Sequence, residues 1–353
     1  MTHPYEALGP EAFWKTAVAD AGPFGLSGLW SPKFSISPRD IIATAGSCFA
    51  QHIGNALTQR DYSWTDFEPA PPNINPESAR RFGYGVFSFR TGNIYTPSML
   101  LQWLELAYGL RPDCKEVWTQ DGRYFDPLRP AIEPNGFATE TEMIDARQET
   151  YAALRRAVEQ SSVFVFTLGL TEHWVNADTG LEYALCPGTV AGAFDPQRHR
   201  FVNADNRSAF SALVQAIKLM RARNSNLRVL LTVSPVPLTA TASGEHVLTA
   251  TQYSKSVLRA VAGRATQRFA FVDYFPSFEI ITHPVFRGMF FAPNMRSVVP
   301  EGVQTVMTHF FNDQTRVFPL RRRKRQRKDK TTSQPEKSFD LQCEEAMLGA
   351  FAK

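Results

Sequence analysis

The run Asp40-Ile-Ile-Ala-Thr-Ala-Gly-Ser-Cys-Phe-Ala-Gln-His-Ile-Gly-Asn-Ala-Leu57 decides the fold. A short apolar segment ends in Gly46-Ser47-Cys48, and a helical pattern begins directly after it. This reads as strand, tight turn, helix, the unit from which α/β sheets are assembled. Ligands of open parallel sheets bind in the crevice beyond the carboxyl ends of the strands, so a hydroxyl at that turn is placed for chemistry. Ser47 is therefore a candidate nucleophile. The plainer alternative is that Ser47 caps the helix by accepting a first-turn N–H.

Three further runs, Ser162-Val-Phe-Val-Phe-Thr-Leu168, Leu227-Arg-Val-Leu-Leu-Thr-Val233 and Phe269-Ala-Phe-Val-Asp-Tyr-Phe275, have the continuous apolar character of buried parallel strands. Helical periodicity over 139–160, 208–223, 246–267 and 300–311 alternates with them. The expected fold is α/β in three layers, a mainly parallel sheet with helices on both faces, and β-hairpin insertions. The insertions fall at about 62–137 and 174–203. In the first, Pro69, Pro71, Pro72 and Pro76 forbid regular structure for much of 62–81, whereas Asp121-Gly122 signals a hairpin. Thr96-Pro97 marks a helix start, with Gly92-Asn93 just ahead of it. A second hairpin is expected at Ala177-Asp-Thr-Gly180. The expected organisation is an N-terminal arm at 1–37, one domain at 38–318, a basic polar linker at 319–340 and a short helix at 341–353.

With 353 residues, 43% of them hydrophobic and 20% charged, the chain can bury a large core. Its net charge of +4 is concentrated in 321–330, which holds eight cationic side chains and one anionic. Such a run is expected to be solvated, with at most weak polyanion binding. Cys48, Cys114, Cys186 and Cys343 form no CxxC pair, which argues against a zinc knuckle or a disulfide framework. No His, Asp or Glu spacing suggests a metal site, and no cofactor is expected. The opening residues lack a basic and then apolar leader, and no run approaches eighteen apolar residues. The expectation is a soluble cytoplasmic protein; its oligomeric state is not readable.

Gly46-Ser-Cys-Phe-Ala50, Gly92-Asn-Ile-Tyr-Thr96, Thr167-Leu-Gly-Leu-Thr-Glu172, Ser234-Pro-Val236, Tyr253-Ser-Lys255 and Asp273-Tyr-Phe-Pro-Ser277 resemble, in order, the motifs of the GSCFA-domain family over about 38–312. That family resembles the SGNH/GDSL hydrolases, flavodoxin-like proteins that cleave or transfer ester-linked acyl groups, often on carbohydrates. The resemblance implies a serine esterase or O-acyltransferase acting on an acylated carbohydrate or small ester, with Ser47 as nucleophile. Backbone amides at Ser47 or Cys48, joined by Gly92 and Asn93, would hold the oxyanion. Gly169, Thr171, Glu172 and His173 form the second candidate loop, in which Thr171 stands near where the superfamily carries an Asn. His173 is read there as orienting substrate.

The superfamily's late Asp and His, three residues apart, correspond by position to Asn294-Met-Arg-Ser297, so neither is present. His246, behind the Ser234 loop, and His283, after the Asp273 motif, are the candidate bases. His52 is about one and a half helical turns beyond Ser47 and should point elsewhere. Cys48 has its own alternatives, a thiolate at a helix start or a small apolar residue beneath the turn. The competing expectation, from a different class, is a non-catalytic ligand-binding protein that has lost the dyad, with the basic tail at 321–330 binding a polyanion.

Overall fold

The computed structural model describes residues 3–319 and 343–352, so the basic run at 321–330 lies outside the described residues. The chain forms two compact units, residues 1–35 with 275–340, and residues 36–274 with 341–353.

The larger unit contains β1 (Ile42–Gly46), β2 (Trp118–Gln120), β3 (Arg123–Phe125), β4 (Val163–Leu168), β5 (Glu172–Asn176), β6 (Glu182–Tyr183), β7 (His199–Asn203), β8 (Arg228–Val233) and β9 (Val272–Tyr274). The main sheet has the order β1-β4-β8-β9 with all pairs parallel. β1 and β4 are buried along their whole length, which explains why neither alternates polar with apolar residues. The helices Phe49–Gln59, Pro97–Ala107, Glu140–Gln160, Asn206–Arg223 and Val247–Arg268 flank the sheet. Their starts follow local capping chemistry: Thr96, Thr139 and Asp205 accept from the N–H of Met99, Glu142 and Ser208.

On the other edge of β1, the chain makes one isolated parallel bridge, Ile42 to Trp64. Ser88 N–H then donates to Thr44 O at 3.1 Å, and Ile94 N–H to Gly46 O at 2.9 Å. Between these contacts the chain runs through Pro69, Pro71 and Pro72 and a short helix at Pro76–Arg81, so only scattered bonds and no further strand meet this edge among the described residues. The chain delivers residues 92–96 to the carboxyl end of β1.

Within the first insertion, the β2–β3 hairpin turns on Asp121 and Gly122, with φ of 50° and 71°. A buried ion network ties this insertion to the Glu140–Gln160 helix. Asp126 accepts from Arg129 Nε at 3.0 Å and from Arg147 NH2 at 2.8 Å, and all three side chains are almost wholly enclosed. The second insertion is more than the expected hairpin: β5 pairs antiparallel with both β6 and β7. β7 carries no strand signal in the sequence, because His199-Arg-Phe-Val-Asn203 is half polar and gets its partner from tertiary pairing. The C-terminal segment, expected as a short helix, is a run of 3-10 turns over Glu344–Phe351.

In the smaller unit, the N-terminal arm is ordered against the Pro300–Val317 helix. Trp30 stacks on Phe310 at 5.3 Å, and its N–H donates to Asp313 Oδ2 at 3.0 Å. No helix among the described residues is long and apolar enough to cross a membrane.

Candidate active site

Gly46 ends β1 with φ of 125°, and a Cβ there would overlap the Thr167 backbone of the neighbouring strand. Only glycine fits this approach. Ser47 follows, 1% exposed, its N–H donating to Thr167 O at 2.9 Å. Its hydroxyl is not a helix cap. Cys48 takes the N-cap position without a side-chain bond, and Ser47 Oγ is buried with no hydrogen-bond partner. A buried hydroxyl left unpaired costs about 1–3 kcal/mol, so its retention calls for an explanation.

Two loops face this turn. Gly169, just past β4, carries no side chain, and a Cβ there would lie 3.0 Å from Ser47 Cβ and 3.1 Å from Tyr95 Cδ1. Tyr95 O accepts from the N–H of Gly169 at 2.8 Å and of Leu170 at 3.0 Å, which ties the 92–96 loop to the 169–173 loop. The Tyr253-Ser-Lys255 motif braces the same loop from the Val247–Arg268 helix. Lys255 Nζ donates to Gly169 O at 2.6 Å, and Ser254 Oγ accepts from Thr171 N–H at 3.0 Å. Thr171 Oγ1 donates to Asn203 Oδ1 at 2.6 Å, so that hydroxyl holds β7.

Beyond this loop lies a cavity of about 240 Å³, whose lining includes Tyr95, Leu170, Glu172, His173, Glu182 and Leu238. Glu172 accepts from Thr241 Oγ1 at 2.7 Å, and burial raises its carboxyl above the usual range. His173 Nδ1 lies 3.1 Å from Thr171 O, a carbonyl that can only accept. The neutral ring thus carries its proton on Nδ1 and leaves a lone pair on Nε2, 3.8 Å from Glu182 Oε2.

The histidines expected as bases are bound otherwise. His246 is exposed, and its Nδ1 accepts from Leu248 N–H at 3.2 Å, capping its helix. His283 belongs to the smaller unit, where its Nδ1 accepts from Val285 N–H at 3.2 Å and its ring lies against Trp14. Both spend the Nδ1 lone pair on the backbone, so their neutral rings carry the proton on Nε2. His52 is held neutral, its pKa lowered to about 4 by burial and by Arg80. Because Ser47 Oγ has no hydrogen-bond partner, no histidine among the described residues is in bonding contact with it. In the smaller unit, Asn294 and Ser297 bond to each other: Asn294 Nδ2 donates to Ser297 Oγ at 3.0 Å, and Ser297 N–H donates to Asn294 Oδ1 at 2.9 Å.

One partner in the site, Glu344, has no local signal in the sequence. Asn93, 1% exposed, donates from its backbone and its side chain to the carboxyl of Glu344 in the C-terminal segment. Gly92, with φ of 69°, makes room for that group, since a Cβ there would overlap the Glu344 carboxyl. Cys48 is buried beneath the turn at 2% exposure. No group of three or more His, Cys, Asp or Glu among the described residues could hold a metal ion.

No curated protein and no solved structure matches the chain. The model of the GSCFA family matches residues 41–310, a span that contains the Gly46-Ser47 turn, the 92–96 and 169–173 loops and the Tyr253-Ser-Lys255 brace, and the chain belongs to the GSCFA family.

Proposed function

We propose that this protein is an SGNH-like serine esterase or O-acyltransferase acting on an acylated carbohydrate or a small ester, with Ser47 as its nucleophile. The observation that carries this reading is the buried, unpartnered Ser47 Oγ at the carboxyl end of β1, a wholly buried strand at one end of the parallel sheet. The hydroxyl attacks the ester carbonyl and forms an acyl-serine as the alcohol leaves with a proton. Water or an acceptor alcohol then attacks the acyl-serine and regenerates Ser47. Asn93 supports the oxyanion role, because its N–H and side chain already hold a carboxyl oxygen in this site. Among His173, His246 and His283, His173 is the proton acceptor in this reading, since its tautomer presents a lone pair on Nε2 and it lines the adjoining cavity. A rearrangement must bring that ring and Ser47 together.

Hydrolysis of p-nitrophenyl butyrate by wild type, Ser47→Ala and His173→Ala tests the reading. A loss of about 1000-fold or more in kcat for Ser47→Ala is expected, in the range of nucleophile deletions. Equal rates in wild type and Ser47→Ala overturn it. A second reading, a binding protein without turnover, is favoured by the Asn294–Ser297 pair where an Asp and a His would stand. It predicts no Ser47-dependent hydrolysis, with carbonyl ligands still bound.

A further inference from the structure

Glu344 and Glu345 are 8% and 5% exposed, although glutamates are seldom buried unless paired with a cation. Both sit on polar groups of the candidate site. Glu344 takes the two Asn93 donors. Glu345 Oε1 accepts from Thr239 N–H at 2.7 Å, and its own N–H donates to Tyr95 Oη at 3.2 Å. The segment lines two cavities, Glu345 and Leu348 the one of about 240 Å³, Glu344 and Met347 another of about 340 Å³ beside Gly92 and Asn93. Its apolar anchoring is thin, with Met347 46% and Phe351 62% exposed. Much of what holds it is therefore the pair of glutamates.

We propose that Cys343–Ala352 is an intramolecular inhibitor, in which the Glu344 carboxyl occupies the Asn93 donors in place of a ligand's carbonyl and must leave before that ligand enters. This deepens the reading of Gly92-Asn93 as the carbonyl-holding loop and rests on it. A neutral carboxyl offers the same acceptor oxygen as an ester. A carboxylic acid is also the acyl product of ester hydrolysis, so the segment resembles a tethered product. Gly92 is the matching recess: any side chain there collides with the carboxyl that the loop receives.

The test uses hexanamide, a neutral carbonyl probe that needs no turnover, titrated calorimetrically into full-length wild type, Glu344→Ala and Glu344→Gln at pH 5.5. Glu344→Ala should bind it at least about tenfold more tightly than wild type, the change expected when the open form is a tenth of the population or less. Glu344→Gln keeps a neutral acceptor oxygen and should bind like wild type. Hydrogen exchange of residues 92–96 should accelerate in Glu344→Ala and stay slow in Glu344→Gln, with melting temperatures confirming that both are folded. Equal hexanamide affinity in wild type and Glu344→Ala, or no binding to either, overturns the proposal. Binding that opens in Glu344→Ala, together with ester turnover indifferent to Ser47, removes the catalytic reading and leaves the inhibitor standing.

Discussion

Asp126 and Glu344 are both buried carboxyl groups in the larger unit, and their surroundings are opposite. Burial alone would raise the Asp126 carboxyl, but Arg147 and Arg129 overcome it and hold the group below the ordinary range. Burial raises Glu344 to about 8, Cys343 adds to this, and the Asn93 hydrogen bonds oppose it. Asp126 is an ion locked between two cations on elements that cannot separate without exposing charge. Glu344 is a neutral acid resting on an amide, with one oxygen unpartnered. The first arrangement holds the insertion to its helix; the second can be undone by the loss of a proton.

The largest expected effect comes from breaking the first arrangement. Asp126→Ala leaves two buried guanidinium groups without their carboxylate and should cost about 3–5 kcal/mol, read by urea denaturation. Glu344→Ala should cost far less global stability, on the order of 1 kcal/mol, the scale of one hydrogen-bonded contact. If the two variants melt alike, the distinction between lock and latch fails.

The pH response sharpens the contrast. The folded-state pKa of Glu344 lies above its ordinary 4.5, so docking is strongest below about 4.5 and weakens as pH rises to about 8. Cys343 and Glu345 beside it, Tyr95 from the facing loop and Arg81 along the cavity are the other titratable or charged groups around it. Moving wild type from pH 5.5 to 8.5 should therefore lower the protection factors of residues 92–96, measured against the base-catalysed intrinsic rate at each pH. Glu344→Gln should abolish that dependence; an unchanged response would assign it to another group. The smallest effect is at the acid end. His52 is depressed to about 4, so the unfolded chain takes up its proton first, and stability falls as pH drops from 6.5 towards 4. His52→Asn should flatten that limb in thermal melts.

The unequal legibility of these regions has physical causes. The four core strands can be read because each is a continuous apolar run that only a doubly covered sheet accommodates. Asp121-Gly122 can be read because its positive φ values demand such residues. Gly46-Ser47 is legible as a turn, although the loss of the capping role for Ser47 required coordinates. The Asp126–Arg147 pair spans 21 residues and the Asn93–Glu344 contact far more, and no local period reports either. Cys343-Glu-Glu-Ala346 looks like a solvated charge pair, because sequence alone prices a glutamate by its charged form. The base was sought by position in the chain, whereas the tautomer that disfavours His246 and His283 depends on which backbone N–H each ring meets.

The Glu344 latch belongs to the same polypeptide as the loop it covers. Its occupancy is therefore independent of how much protein is present, and dilution does not release it. An incoming ligand must outcompete a partner of constant local concentration, so every ligand's apparent affinity is lowered by the same factor, the fraction of molecules in which the latch is open. A ligand whose other groups fill the neighbouring cavities would offset that factor where a bare acyl fragment would not.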